Sequence, residues 1–256
     1  MGQRSGVSPG IDDARQFAED PSRCDELNER DIYPESVGVG LSASLQAELD
    51  RLGSDLTASW PAPLALWSSV ERGARSAEVS AASDERAFVL ALRADGIEHF
   101  IGSSAELASV AAAICNWLSA EHPGIDALAV KFPWLADQPL ARAYERGEAS
   151  EYLWQSLLDA PPTERLRPLI NAAAADPRLR PLYPSTSFDR LCFSGTPGGP
   201  SPDAFPYAAP RDGCFRVWRA NKNSYLSENQ EFVLGEGDAA RAVELLVEAL
   251  PRQESS

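Results

Sequence analysis

Two histidines, His99 and His122, and four cysteines, Cys24, Cys115, Cys192 and Cys214, are the only imidazoles and thiols in the chain. No two cysteines stand in CxxC spacing. A zinc centre would have to gather ligands from scattered segments, so no metal is expected. His99 lies between Glu98 and Phe100 in a short apolar stretch. An imidazole there can serve as a general base if a pocket and partners surround it, or it can be a satisfied core or edge histidine. Strict alternation places it with Ile97 and Ile101, opposite Glu98 and Phe100. His122 precedes Pro123 at a helix end, where a cation suits the helix dipole. Cys115, on the apolar face of a predicted helix, and Cys192, inside a predicted strand, read as buried free thiols.

The densest set of recognition groups lies at 177–190. It combines Arg178, Arg180 and Arg190 with the hydroxyls of Tyr183, Ser185, Thr186 and Ser187. Guanidinium forks match carboxylates and phosphates, so this set is the first candidate binding site. Asp189 joins His99 as a candidate catalytic group. The plainer reading pairs these arginines with surface acids and has Tyr183 anchor a loop. Trp134, beside Pro133, is a further candidate for a binding surface. The chain lacks GxGxxG, Walker, HExxH and GxSxG patterns, so no cofactor is expected. The glycine-rich run GTPGGPSP at 195–202 has no following lysine and reads as a connection between strands.

Elements must position these groups. Leu45, Leu49, Leu52 and Leu56 predict a helix from Ser42, weakened at Gly53. Alternation at Ala77, Val79 and Ala81, the apolar run 87–92, and 97–101 after the Asp95-Gly96 turn predict a three-strand meander. A helix capped by Ser103 or Ser104 follows, carrying Leu107, Val110, Ile114 and Trp117. Further helices are predicted over 139–145, 150–158 and 163–175. Strands are predicted at 187–194, 214–219 and 231–234, and a last helix follows Gly237-Asp238.

The meander and its helix have an echo. Aligning Gly102 with Gly235 places Val110 on Val243, Ile114 on Val247 and Trp117 on Leu250, with Leu107 on Ala240 the weakest pair. The expected class is therefore α+β: two related helix–three-strand antiparallel sheet–helix halves joined by a helical middle segment. The expected boundaries are an acidic flexible arm at 1–38, with a short helical piece near 12–18, a first half at 39–122, a connection at 123–162 and a second half at 163–256.

Composition narrows the partners. Of 256 residues, 44% are hydrophobic, enough for a sizeable core. Asp and Glu outnumber Lys and Arg by 38 to 23, a net charge of −15. Such a surface repels phosphate backbones and anionic lipid, which argues against nucleic-acid and membrane partners. The opening MGQRSGVSPGIDDARQF has no apolar signal-peptide core, and no apolar run reaches the roughly 18 residues of a membrane span. A cytoplasmic location is expected.

The runs LINAAAADPRLRPLYPSTSFDRLCFS and LGEGDAARAVELLVEALP, with the middle stretch FPWLADQPLARAYERGEASEYLWQSLL, resemble an uncharacterised bacterial family labelled natural product biosynthesis protein. The resemblance covers roughly residues 44 to 250. FDRLCFS is more charged than the strand the family has there, and 221–229 is an added stretch. The label implies a biosynthetic-cluster setting and no particular reaction. The first expectation is an accessory or binding protein holding a peptide, carrier or enzyme partner, or a small-molecule intermediate, on a sheet or in a groove between halves. The second is a cofactor-independent cyclase or isomerase using Arg178, Arg180, Tyr183 and Asp189, with His99 if it faces the same cavity. The third is an immunity or chaperone-like protein that binds a basic partner.

Overall fold

In the computed structural model the described residues are 32–36, 39–59, 66–83, 85–121, 124–198, 205–219 and 232–251. Outside them lie the acidic arm up to residue 31 with its expected helix at 12–18, Cys24, Trp60, His122, the loop at 199–204 and the stretch 221–229.

Leucines at one-turn spacing make the first helix. In α1 (Gly40–Arg51), Leu41, Leu45 and Leu49 are fully buried, while Leu52 just beyond it is exposed. Each buried leucine stabilises the fold by about 1.5–3 kcal/mol. The helix starts before Ser42, which lies inside it rather than capping it.

Six strands follow as an antiparallel sheet in the order β1 to β6: Ala58–Ser59, Trp67–Arg72, Arg75–Ala81, Phe88–Ala94, Ile97–Ser104 and Leu135–Asp137. The apolar run in β4 buries Phe88, Leu90 and Leu92 fully, with Val89 half-buried between them and Arg93 half-buried beyond them, while the small Ala91 is buried on the other face. α2 (Leu107–Trp117) packs with α1 over the buried face. Its N-cap position is Glu106, and Ser104 forms the preceding turn by accepting the Glu106 N–H at 3.1 Å. Trp117 closes the helix by donating its indole N–H to the carbonyls of Ser76 (3.1 Å) and Arg93 (3.2 Å).

Three helices lead to the second sheet: α3 (Ile125–Lys131), α4 (Pro139–Glu145) and α5 (Ala149–Asp159). The stretch read as a connection is divided between two cores. Ile125, Leu128, Leu135 and Ala141 join the first, β6 completes the first sheet, and Trp154 of α5 is buried in the second. After α6 (Arg167–Ala175) come β7 (Tyr183–Ser187), β8 (Arg190–Ser194), β9 (Pro206–Arg211), β10 (Cys214–Arg219) and β11 (Phe232–Gly237). They form a five-stranded antiparallel sheet in chain order. α7 (Ala239–Glu248) then packs beside α6 on that sheet. Asp238 caps α7 by accepting the Arg241 N–H at 2.9 Å.

The class is α+β, with seven α-helices and two antiparallel sheets among the described residues. Each sheet is larger than the three strands expected. The additions are β1, β2 and β6 in the first, and β7 and β9 in the second. The single strand expected over 187–194 is a hairpin whose turn is Phe188-Asp189.

Candidate functional site

A β-bulge sets His99 at the edge of a cleft. In the β4–β5 ladder Leu92 pairs with Phe100 and Arg93 with Glu98, which leaves His99 as the extra residue. The bulge overrides alternation. Ile97, His99 and Phe100 are all buried, while Glu98 and Ile101 are half-buried. His99 therefore sits beside the core at the sheet's end, with only 5% of its surface exposed.

There it lines a cleft of about 440 Å³ with Arg72, Gly73, Ala74, Arg75, Ala94, Asp95, Tyr144 and Glu145. That volume is in the range of small-molecule sites. Two hairpin turns and the end of α4 shape it. The Asp95-Gly96 turn has both residues at positive φ (51° and 77°), as a two-residue hairpin requires. The Asp95 N–H donates to Ala74 O at 2.9 Å, tying this turn to the β2–β3 turn.

The side chains are held with donors and acceptors to spare. His99 Nδ1 lies 3.0 Å from Ile97 O. A carbonyl only accepts, so Nδ1 carries the proton and Nε2 keeps its lone pair. The ring packs on Trp117 (centroids 5.2 Å apart) and against the edge of Tyr144 (6.1 Å). Burial pushes the His99 pKa below its ordinary value. The Ile97 carbonyl, Glu145 and Asp95 oppose that shift, and Arg75 adds to it. The Arg75 guanidinium lies 4.4 Å over the Trp117 ring and donates from Nη1 to Trp117 O at 3.0 Å. Burial lowers its pKa as well, and Asp95 and Glu145 counter this through space. Neither carboxylate forms a direct ion pair with it among the described residues. Tyr144 donates its hydroxyl to Asp95 Oδ2 at 2.9 Å, a bond that raises the phenol pKa. Arg72 is committed elsewhere, to Asp55 and to Leu118 O. Glu145 has no hydrogen bond or ion pair among the described residues.

Chemically, the cleft offers one guanidinium with unused donors, one and a half unused carboxylates and a neutral imidazole acceptor. It can bind a polar molecule and can accept a proton from one. Among the described residues no group of three or more His, Cys, Asp or Glu side chains is arranged to hold a metal ion.

Of the residues nominated from sequence, His99 is in this cleft. Tyr183, half-buried at the start of β7, lies close enough to Tyr144 to help raise its pKa. The others stand elsewhere. Arg178 is closed onto Asp176 by Nε (3.0 Å) and Nη2 (2.7 Å), just past α6. Arg180 pairs with Glu151, while its carbonyl accepts from Ser150 Oγ (2.7 Å) and Trp154 Nε1 (3.1 Å). Both arginines thus make the ion pairs of the plainer reading. Ser185 and Ser187 are exposed on β7, and Asp189 occupies the hairpin turn. Arg190 stacks 5.0 Å over Tyr207, which in turn stacks on Trp218 at 5.3 Å. Trp134 is half-buried and packs edge-on against Phe132. Cys115, Cys192 and Cys214 are free thiols, and burial raises the Cys192 pKa.

Arg75, Asp95, Tyr144 and Glu145 were not nominated. Asp95 carried a local signal, because the Asp-Gly turn places it beside Ala94, whose cross-strand partner is Arg75. Nothing local connects Tyr144 and Glu145 to that hairpin.

Residues 148–255 match the model of a family described as "Family of unknown function (DUF6193)". The match spans α5, α6, the second sheet and α7, and it stops short of every residue that lines the cleft. No curated protein and no solved structure matches the chain. On membranes, no helix among the described residues is long and apolar enough to cross one.

Proposed function

We propose that the chain is a noncatalytic binding protein that holds a small polar molecule in the cleft beside His99. The resemblance to the natural product biosynthesis family supplies the setting, in which that molecule is a pathway intermediate or a short peptide. One observation carries the reading. Opposite charges converge on a cleft of about 440 Å³ without pairing with one another. Arg75 is half-buried against Trp117 and has no ion-pair partner among the described residues, while Asp95 and Glu145 are exposed at the rim, so a ligand can reach all three and complete them.

Equilibrium dialysis against a defined mixture of small carboxylates, amines and dipeptides tests this. Mass spectrometry of both chambers should find a compound enriched on the protein side, unchanged, and released by Arg75→Gln. Absence of enrichment overturns the cleft as a binding site.

A second reading rests on His99 itself. Burial favours its neutral imidazole and Nε2 makes no hydrogen bond among the described residues, the state a general base needs. A compound recovered at altered mass or retention time, with the change abolished by His99→Gln, would replace the binding reading with a cofactor-independent enzyme.

A further inference from the structure

The geometry points to a zwitterion, an amino acid or short peptide with free amine and free carboxylate, as the class of molecule that fits the His99 cleft. This inference rests on the cleft being the binding site.

The argument is a census of unspent groups. Arg72 and Asp55 close on each other, so their charges cancel at the rim. What remains is the Arg75 cation and the Asp95 and Glu145 anions. Arg75 spends one Nη on Trp117 O, and the stack on the indole fixes the guanidinium plane. Its other N–H donors make no hydrogen bond among the described residues. A carboxylate is the group that two parallel guanidinium N–H bonds match. Of the acids, Asp95 has given only Oδ2, to Tyr144, and Glu145 has given neither oxygen. An ammonium, with three donors, can bridge two carboxylates. His99 Nε2 provides one more acceptor, suited to a peptide or amine N–H.

Ligands of a single charge fit less well. A plain anion would meet Arg75 but face two carboxylates. A plain amine would meet the carboxylates but face the guanidinium. Arg75 is the cross-strand partner of Ala94, the residue before Asp95, so the cation and the nearer anion come from adjacent strands.

The probes are glycylglycine, N-acetylglycylglycine, which keeps only the carboxylate, and glycylglycinamide, which keeps only the amine. The readout is the imidazole nitrogen resonances of His99, assigned against His122→Gln because the chain has two histidines. Glycylglycine should shift them saturably, and each single-charge probe should bind about tenfold more weakly or worse. Arg75→Gln should reduce glycylglycine to the affinity of glycylglycinamide. Glu145→Gln, at the end of a surface helix where folding is not at stake, should weaken glycylglycinamide and leave N-acetylglycylglycine bound as before or more tightly. If a single-charge probe binds as well as glycylglycine, the zwitterion inference fails and the cleft stands. If none of the three shifts His99, the cleft fails as a site for small polar molecules and the proposed function fails with it.

Discussion

His99 is held between burial, which favours its neutral form, and two carboxylates, which favour its cation. Burial is the larger effect. A nitrogen-detected titration should therefore place its pKa below the ordinary ~6.5 of a free imidazole. The neighbours fix the sign of each variant. Glu145→Gln removes support for the imidazolium and should lower the pKa further. Arg75→Gln removes a repelling cation and should raise it. Opposite shifts verify the arrangement, and two shifts in the same direction would refute it. The sequence marked His99 as worth watching but put it on the wrong basis. Alternation assumes an unbroken ladder, and the extra residue at the bulge breaks it. Trp134, nominated as a partly exposed aromatic, is half-buried and packs one side on the first core, and its carbonyl crowds β5. A Cβ on Gly102 would lie 2.3 Å from Trp134 O, which is why the residue there is glycine. That demand is tertiary and leaves no local trace.

Among the elements, those with strong periodicity were legible and those made by pairing were not. α2, β4 and β10 announce themselves by buried residues at helical or alternating spacing. β9 does not, because it contains Pro206 and Pro210, which lack the N–H a ladder uses. It is tolerated because its β8 side is paired at a single position, Leu191 with Ala208, while β10 provides the full register. β6 has three residues and exists only as an addition to β5. The β7–β8 turn was hidden by its chemistry. A two-residue hairpin turn with positive φ at both positions favours Asn-Gly, yet here Phe188 (47°) and Asp189 (60°) occupy it. Phe188 is 98% exposed, so burial offsets none of the strain. Replacing the pair by Phe188→Asn with Asp189→Gly should raise stability by about 1 kcal/mol in urea unfolding. An unchanged or lower midpoint would mean that the aromatic ring contributes to the fold in a way its exposure does not show.

At the scale of the whole molecule, two cores sit under two sheets, and what joins them bears on the cleft. The matched family spans 148–255 and so takes in the second core, while the cleft is built on the first. Their meeting point is next to the cleft. Gly96, adjoining Asp95, lies against Gly198 at the end of β8's following turn. A Cβ on Gly198 would fall 2.2 Å from the Gly96 carbonyl carbon, and one on Gly96 would fall 2.3 Å from Gly198 O. Backbone meets backbone there, so neither side can yield by rotating a side chain. Gly198→Ala should cost more than the ~1–2 kcal/mol that a left-handed alanine costs by itself. Gly213 isolates that baseline, since its φ is 85° and a Cβ there meets nothing within 4 Å. Gly213→Ala should lower stability by the strain alone. Gly198→Ala should lower it further and speed hydrogen exchange at the 94–97 amides, without deprotecting the centre of α7. Equal losses in the two variants would show that the contact couples nothing. The expected excess in Gly198→Ala would show that the second core holds the turn carrying Asp95, so that the cleft's acidic wall depends on both halves of the chain.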